Sequence, residues 1–251
     1  MTQSSQSSNT LRVATYNIHK GVQGIGPRKR LEIHNLGHAV EQLDVDVVCL
    51  QEVRKLHRRQ AMYFTQWPEL EQADFLAPEG YEAVYRTNAV TRHGEHGNAM
   101  LSRWPVVAHQ HEDMSDHRFE QRGLLHSEIV FHGVSIHVVV LHLGLIHASR
   151  LRQIAQVLRF IAREVPSNAP LIVAGDFNDW GRSTQRALAT MDLLAFQEDR
   201  YPTYPSRLPL VQLDYVYARG LRPTGLHVPS GRIWGRMSDH LPLIAEFALV
   251  S

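Results

Sequence analysis

The chain has 251 residues, with 43% hydrophobic and 20% charged content, the composition of a folded globular protein rather than a disordered or fibrous one. A formal net charge of +1 gives no bulk basic field of the kind that marks a nucleic-acid binder. A single cysteine, Cys49, excludes an intrachain disulfide, and sixteen histidines are the unusual count.

Residues 1–10 (MTQSSQSSNT) are polar and lack the apolar centre of a signal peptide; they are expected to form a disordered tail before one domain over 11–251. Residues 11–17 (LRVATYN) read as a strand delivering Asn17 and, two residues on, His19. Gly21, Gly24 and Gly26 make a loop, and Pro27 suits a helix start. Leu36, Ala39, Val40 and Leu43 then recur at helical spacing. Residues 46–50 (DVVCL) are a second buried strand, with Cys49 a small core hydrophobe, ending in Gln51 and Glu52. Arg54, Lys55, Arg58 and Arg59 read as a solvated helix face, with phosphate attraction as the alternative.

Trp67-Pro68 breaks the chain before a short helix. Residues 81–87 read as a strand and 88–96 as a polar loop with His93, Glu95 and His96. Residues 97–103 and 106–111 read as neighbouring strands around the Trp104-Pro105 turn. A charged, mobile loop at 113–121 precedes a hairpin of 122–131 and 134–142 tipped by His132-Gly133. The most apolar stretch, 134–146, is too short to span a bilayer. The expected location is cytoplasmic, with peripheral membrane contact left open.

Residues 148–165 are the clearest helix. Leu151, Ile154, Ala155, Leu158, Ile161, Ala162 and Val165 share a stripe, and Pro166 ends it. The run 171–180 (LIVAGDFNDW) organises the rest. A buried strand leads to a glycine that permits close backbone approach, then to Asp176 and Asn178. On an extended chain those two side chains share a side; a turn is the competing reading. Ser183 caps a short helix to about residue 191, and 197–209 is a Pro-rich loop. Residues 212–218 form a strand containing Asp214, 221–229 another, and 231–238 a loop with Trp234. Asp239-His240 opens the last strand, 241–249. This order fits two packed sheets with outer helices better than one alternating parallel sheet.

Six strands or strand ends run from apolar residues into a polar group able to bind metal or handle a proton: Asn17, Glu52, His142, Asp176 with Asn178, Asp214, and Asp239 with His240. The oxygens suit a hard cation such as Mg²⁺ or Mn²⁺, and the two histidines suit proton transfer or oxyanion contact. Structural zinc spacing, a P-loop, a GxSxG elbow and a Rossmann fingerprint are all missing. The chemistry indicated is hydrolysis by an activated water with metal-assisted charge stabilisation.

TYNIH (15–19), LQE (50–52), GNAMLSR (97–103), HLG (142–144), GDFN (175–178), LDYV (213–216) and SDH (238–240) occur in that order. Over about residues 11–249 the chain therefore resembles the endonuclease/exonuclease/phosphatase superfamily (deoxyribonuclease I-like). The TYNIHKG opening is most similar to its small bacterial members. The resemblance implies an α/β (α+β) four-layer sandwich, two packed mostly antiparallel sheets flanked by helices, with a metal-dependent cleft at one sheet edge. It implies Glu52 as the principal metal ligand, with Asn17 and Asp239 beside the same ion. Asp176 would orient or deprotonate the attacking water. Asn178 and His142 would hold non-bridging phosphate oxygens. His240, oriented by Asp214, would be an acid/base or a phosphate contact. Arg122 is a candidate phosphate contact.

His19 stands where AP endonucleases often carry a carboxylate, so it could bind a second metal or touch substrate. A carboxylate partner for His142 is not evident; Glu95 and Asn98 are candidates. The expected activity is a metal-dependent phosphodiesterase acting on nucleic acid or on a phospholipid or other small phosphoester, without an obligate protein partner. The basic cluster at 54–59, with Trp180 and Trp234 read as exposed, favours a polynucleotide. TYNIHKG, Leu208, Leu210 and Trp234 favour a lipid. A non-catalytic interaction module that kept the fold is the alternative; its signature, loss of chemical residues, is missing from the main set.

Overall fold

The computed structural model describes residues 9–181, 183–195 and 200–250. In chain order it runs β1 (Thr10–Asn17), β2 (Val22–Gln23), β3 (Arg30–Leu31), α1 (Ile33–Leu43), β4 (Val47–His57), α2 (Arg58–Tyr63) and α3 (Gln72–Leu76). There follow β5 (Glu82–Thr91), β6 (Gly94–Ser102), β7 (Val106–Asp113), β8 (Gly123–Phe131), β9 (Val134–His142), α4 (His147–Glu164) and β10 (Leu171–Asp176). The last part holds α5 (Ser183–Ala189), β11 (Leu194–Ala195), β12 (Asp214–Arg219), β13 (Leu221–His227), α6 (Trp234–Met237) and β14 (Leu243–Leu249).

Two six-stranded sheets result, ordered β13-β14-β1-β4-β6-β5 and β11-β12-β10-β9-β8-β7. Each has one parallel pair at its centre, β1 with β4 and β9 with β10, among antiparallel neighbours. A parallel pair needs a long crossover; α1 supplies the first and α4 the second. Both parallel ladders thus end at one edge of their sheets, with Asn17 and Gln51 on one and His142 and Asp176 on the other, while β4 itself runs on to His57.

The sheets pack on each other through Leu11, Val13, Val47 and Cys49 from one and Leu125, Val138, Val140 and Ile172 from the other. On the outer face of the first sheet, Tyr16, Val48 and Leu50 bury against Ile33, Leu36 and Val40 of α1. On the outer face of the second, Val139, Leu141 and Val173 bury against Ile154, Val157 and Phe160 of α4. This is the expected four-layer arrangement, and it explains why the strands at 47–50 and 171–176 are apolar on both faces. No helix among the described residues is long and apolar enough to cross a membrane.

Several local expectations are corrected. Thr10 already belongs to β1, opposite Ala248, while residues 1–8 of the expected tail lie outside the described residues. Residues 88–96 are not a loop: β5 runs on to Thr91 and turns directly into β6, with a register shift between Thr87 and Ala89. The strands either side of Trp104-Pro105 are not neighbours, because β6 pairs with β4 and β5 while β7 pairs with β8. That turn carries the chain from one sheet to the other. The basic cluster is not one face: Arg54 is buried in β4, Lys55 pairs with Glu71 at 3.3 Å, and Arg58 and Arg59 begin α2. The segment 113–121 is pinned to α4, where Asp116 accepts from Ser149 at 2.6 Å and from Arg152 at 2.5 Å. The stripe of α4 is rotated from the one expected: Leu151 is exposed, while Arg150, Gln153, Val157 and Phe160 face inward. Of the Pro-rich segment, 197–199 lie outside the described residues.

Under α4, His126 of β8 and His137 of β9 stack at 5.2 Å between centroids, with His126 Nε2 2.9 Å from His137 Nδ1. One ring must donate and the other accept, so the neutral pair is satisfied and a second proton sets N–H against N–H. Burial, then the repulsion between them, pushes His126 down to about 4, against the pull of Glu128 and Glu164. Burial also lowers His137, with Glu128 raising it and Arg219 lowering it further. A depressed folded-state pKa means that protons favour the unfolded chain. The stabilising contribution is therefore full above the unfolded value of about 6.5 and is lost as pH falls from there toward 4. Melting temperature is expected to fall between pH 7.5 and 5, and the double variant His126→Phe, His137→Val should lose less over the same interval. Equal losses in thermal melts would show that the pair is not proton-linked.

Candidate active site

At the shared edge of the sheets, Asp176 at the end of β10 is in register with His142 of β9 on one side and Asp214 of β12 on the other. Three side chains named from the sequence thus form one row across the second sheet. The register depends on Gly175. A Cβ there would lie 2.0 Å from the Leu141 carbonyl oxygen, so any side chain would push β9 and β10 apart.

Asp176 is 1% exposed and its two oxygens face different partners. Oδ1 accepts the Asn178 N–H at 3.0 Å. Oδ2 accepts from Asn17 Nδ2 of the other sheet at 3.0 Å and lies 3.5 Å from His142 Nε2 and 3.6 Å from His240 Nε2. The strand stops at Asp176, and Asn178 turns with φ of 48°. The Asp–Asn pair is therefore not an extended same-side pair; it is an aspartate-capped turn. That turn aims the Asn178 amide at the Leu143 carbonyl, 3.0 Å away.

His240 Nδ1 sits 2.8 Å from Asp214 Oδ2, which also accepts from Thr203 Oγ1 at 2.5 Å. The SDH segment is fixed to the end of β1 by Ser238 Oγ, which donates to the Asn17 carbonyl at 2.6 Å. Asp176 and Asp214 are two carboxylates directly opposite across a ladder, an arrangement that disfavours double ionisation. Burial first, and Asp214 after it, raise the Asp176 pKa above the usual carboxylate range, while His240 and the Asn17 bond oppose them. Burial penalises a charged His240, but Asp214 and Asp176 outweigh it and raise the imidazole to about 10. His142, wholly buried and facing Arg122, is held well below its ordinary value. The site thus contains a charged and a neutral imidazole on either side of one carboxylate.

Glu52 and Asp239 form a second acidic group at the mouth. The chain after β1 passes through three left-handed residues, His19, Lys20 and Gly21, with φ of 45°, 62° and 69°. For the two non-glycine residues this costs on the order of 1–3 kcal/mol each. The turn places Lys20 Nζ 2.8 Å from Glu52 Oε2 and His19 Nδ1 3.1 Å from Asp239 Oδ2. Burial alone would raise Glu52, yet the charge and hydrogen bond of Lys20 drive it far below the usual carboxylate range. Asp239, which burial would also raise, is lowered by His19. Buried Gln72 anchors the turn: its Nε2 donates to the Lys20 carbonyl at 3.0 Å and its Oε1 accepts the Arg54 N–H at 2.8 Å.

Two groups of side chains could take a divalent cation. Asp176, Asp214 and His240 bring ligand atoms within 4.8 Å of one another, but their facing atoms are engaged with each other, Asn17, Thr203 and Asn178. The outer set of Asn17, Glu52 and Asp239 offers oxygen donors only, open to solvent at Asp239, with Glu52 Oε2 buried and held by Lys20 alone. That donor set fits a hard cation.

Arg122 reaches the rim of the row, where Nε donates to the Leu143 carbonyl at 3.3 Å and Nη2 to Glu120 at 3.1 Å. Neither candidate partner serves His142: Glu95 accepts from Thr87, and Asn98 donates to the Gly123 and Val140 carbonyls. The acid facing His142 is Asp176. Trp234 is corrected; it is 8% exposed and packs in the core beneath α1, because 234–237 coils into α6 rather than forming an open loop. Trp180 is exposed, edge-on to Tyr204, whose ring lies 5.0 Å from His240.

The family model described as Endonuclease/Exonuclease/phosphatase family matches residues 14–240. The Escherichia coli K12 protein YbhP is 37% identical over 251 residues, spanning 96% of this chain and 97% of its own. Among solved structures, an endonuclease/exonuclease/phosphatase from Beutenbergia cavernae superposes with a TM-score of 0.75 at 20% identity, over 96% of this chain and 72% of that one. The human Nocturnin catalytic domain, solved with a bound sulfate anion, does so with a TM-score of 0.70 at 20% identity, over 96% and 94%.

Gly175→Ala is expected to destabilise the fold by roughly 3 kcal/mol or more, as forced overlap of backbone atoms does. Denaturant unfolding measures it, and a loss under about 1 kcal/mol, the size of an ordinary substitution, would show that β9 and β10 separate easily.

Proposed function

This chain belongs to the endonuclease/exonuclease/phosphatase family, and on that premise we propose that it is a Mg²⁺- or Mn²⁺-dependent phosphodiesterase. The observation that carries the reading is the row His142–Asp176–Asp214 at one sheet edge, closed from the other sheet by Asn17 and from the C-terminal segment by His240.

In this reading Asp176 takes a proton from the attacking water as the new P–O bond forms opposite the one that breaks. Its raised pKa suits a base working near neutrality. Asn17 and Asn178 keep its oxygens aimed during the transfer. His240, kept charged by Asp214, presents its Nε2–H to a non-bridging phosphoryl oxygen, where negative charge builds in the transition state. His142 and the Asn178 amide contact the same phosphoryl group, and Arg122 borders it. Asn17, Glu52 and Asp239 would hold the cation, which supplies Lewis-acid neutralisation of phosphoryl charge when bound. For that, Lys20 and His19 must release the two carboxylates. Thr203 and Ser238 position Asp214 and the SDH segment. The presence of the whole set, with Asn17, Asp176, Asn178, Asp214 and His240 hydrogen-bonded into place, argues against a non-catalytic module.

Bis(p-nitrophenyl) phosphate is the test substrate. Turnover is expected with Mg²⁺ or Mn²⁺, to stop with EDTA, and to return when the cation is restored. His240→Ala and Asp176→Asn should each lower kcat by about 10²–10⁴-fold or more, the range for a lost proton-transfer or charge-stabilising group, without changing the melting transition into an unfolded baseline. Glu52→Gln should raise the cation concentration needed for half-maximal rate. Full activity in the first two variants, or an unchanged cation titration in the third, would remove those residues from their roles.

A further inference from the structure

A groove of about 740 Å³ is lined by Arg30, Arg207, Arg232 and Arg236 with Gly231 and Gly235. Arg30 stands at the loop end of the β2–β3 hairpin, opposite Gln23, and pairs with Glu32 at 3.2 Å. Arg207, Arg232 and Arg236 are exposed and have no acidic partner among the described residues. In a chain whose formal net charge is only +1, this is a local concentration of uncompensated guanidinium. Guanidinium forks match phosphate oxygens in pairs.

Exposed aliphatic side chains accompany these cations along the chain. Ile25, at the hairpin tip, is 89% exposed; Leu208, next to Arg207, is 65%; Ile233, next to Arg232, is 60%. The burial of Trp234 in the core fixes the segment that presents Ile233. Leaving such a side chain in water forgoes about 1.5–3 kcal/mol each, so three on one basic rim call for an apolar partner. No aromatic ring lines the groove among the described residues, whereas single-stranded nucleic acid is held on stacking rings.

We propose that this rim docks the protein on an anionic bilayer, with the arginines seating lipid phosphates and Ile25, Leu208 and Ile233 entering the acyl boundary. The proposal rests on the phosphodiesterase reading above and names its substrate class: a phospholipid diester presented in a membrane. Basic residues interleaved with aliphatic ones are the chemistry of such surfaces. The groove also joins the site directly. Ser206, beside Arg207, donates its N–H to the Asp239 carbonyl at 2.8 Å and its hydroxyl to the Ser238 carbonyl at 2.6 Å. The backbone of Gly235 lies close against Ser206, leaving no room for a side chain without a shift. The wall that would meet the membrane is thus continuous with the segment carrying His240.

The full chain is sedimented with vesicles of phosphatidylcholine alone and of phosphatidylcholine with phosphatidylglycerol. Binding is expected only to the anionic vesicles. The variant Arg207→Glu, Arg232→Glu, Arg236→Glu should weaken it more than about tenfold, since each basic group near such a surface contributes on the order of 1 kcal/mol. Leu208→Ser with Ile233→Ser should weaken it at unchanged charge. Both variants should keep wild-type turnover of bis(p-nitrophenyl) phosphate and lose turnover of vesicle phospholipid. No binding of the wild type to anionic vesicles, with soluble-diester turnover intact, overturns the docking surface and leaves the catalytic reading standing. Absent soluble turnover strikes the catalytic reading, and vesicle binding still decides the surface. Displacement from vesicles by a DNA oligonucleotide that binds more tightly, through the same arginines, also overturns the proposal.

Discussion

A carboxylate shut away from water is costly unless donors surround it. Asp176 is such a group, and what surrounds it comes from separate parts of the chain: donors from Asn17 of the first sheet and Asn178 of its own turn, and two imidazoles within 3.6 Å, from β9 and from the segment before β14. The sheets cannot slide or rotate at this edge without stranding it. The apolar layer between them sets how closely they approach; the Asn17–Asp176 bond sets how their ends align. Packing of Leu, Val and Ile alone tolerates small shifts, whereas a buried charge does not.

Each sheet repeats one plan, a central parallel pair joined through an outer helix. The plan accounts for where function lies. Parallel strands finish at the same edge, so each pair brings two chain ends to one line, and closing the sandwich faces the two lines toward each other. The helices serve that edge as well as the core. Arg150 and Gln153 on the inner face of α4 bind the backbone of Gly144 and Leu145, just past His142. Polar residues on that face hold the loop that follows the strand, which is why α4 is turned from the orientation its leucines alone would choose.

That rotation shows which features a sequence makes legible. Strand ends such as GDFN and SDH could be read because apolar runs mark the strand and a charged group stops it. The hairpin at His132-Gly133 and the helices α1 and α4 could be read from turn chemistry and period. The inward face of α4 could not, since Arg150 and Gln153 count as surface residues until their carbonyl and amide partners are known. The separation of β6 and β7 into different sheets was equally hidden, because adjacency in sequence favours pairing and nothing in Trp104-Pro105 reports a crossing. Thr203 lies in a segment without period, and Gln72 acts through backbone groups far away in the chain. Trp234 shows the opposite hazard: four residues suffice for a helical turn, and one buried face turns an apparent surface aromatic into core.

The left-handed turn at His19–Gly21 has an electrical consequence. Two bare carboxylates at the mouth would repel any anion that approached it. Lys20 acts as a tethered counterion to Glu52 and His19 sits against Asp239, so an incoming anion meets a partly compensated entrance. Under the phosphodiesterase reading, cation and substrate would need no strict order of arrival, because repulsion at the doorway is already quenched by groups that never leave the chain.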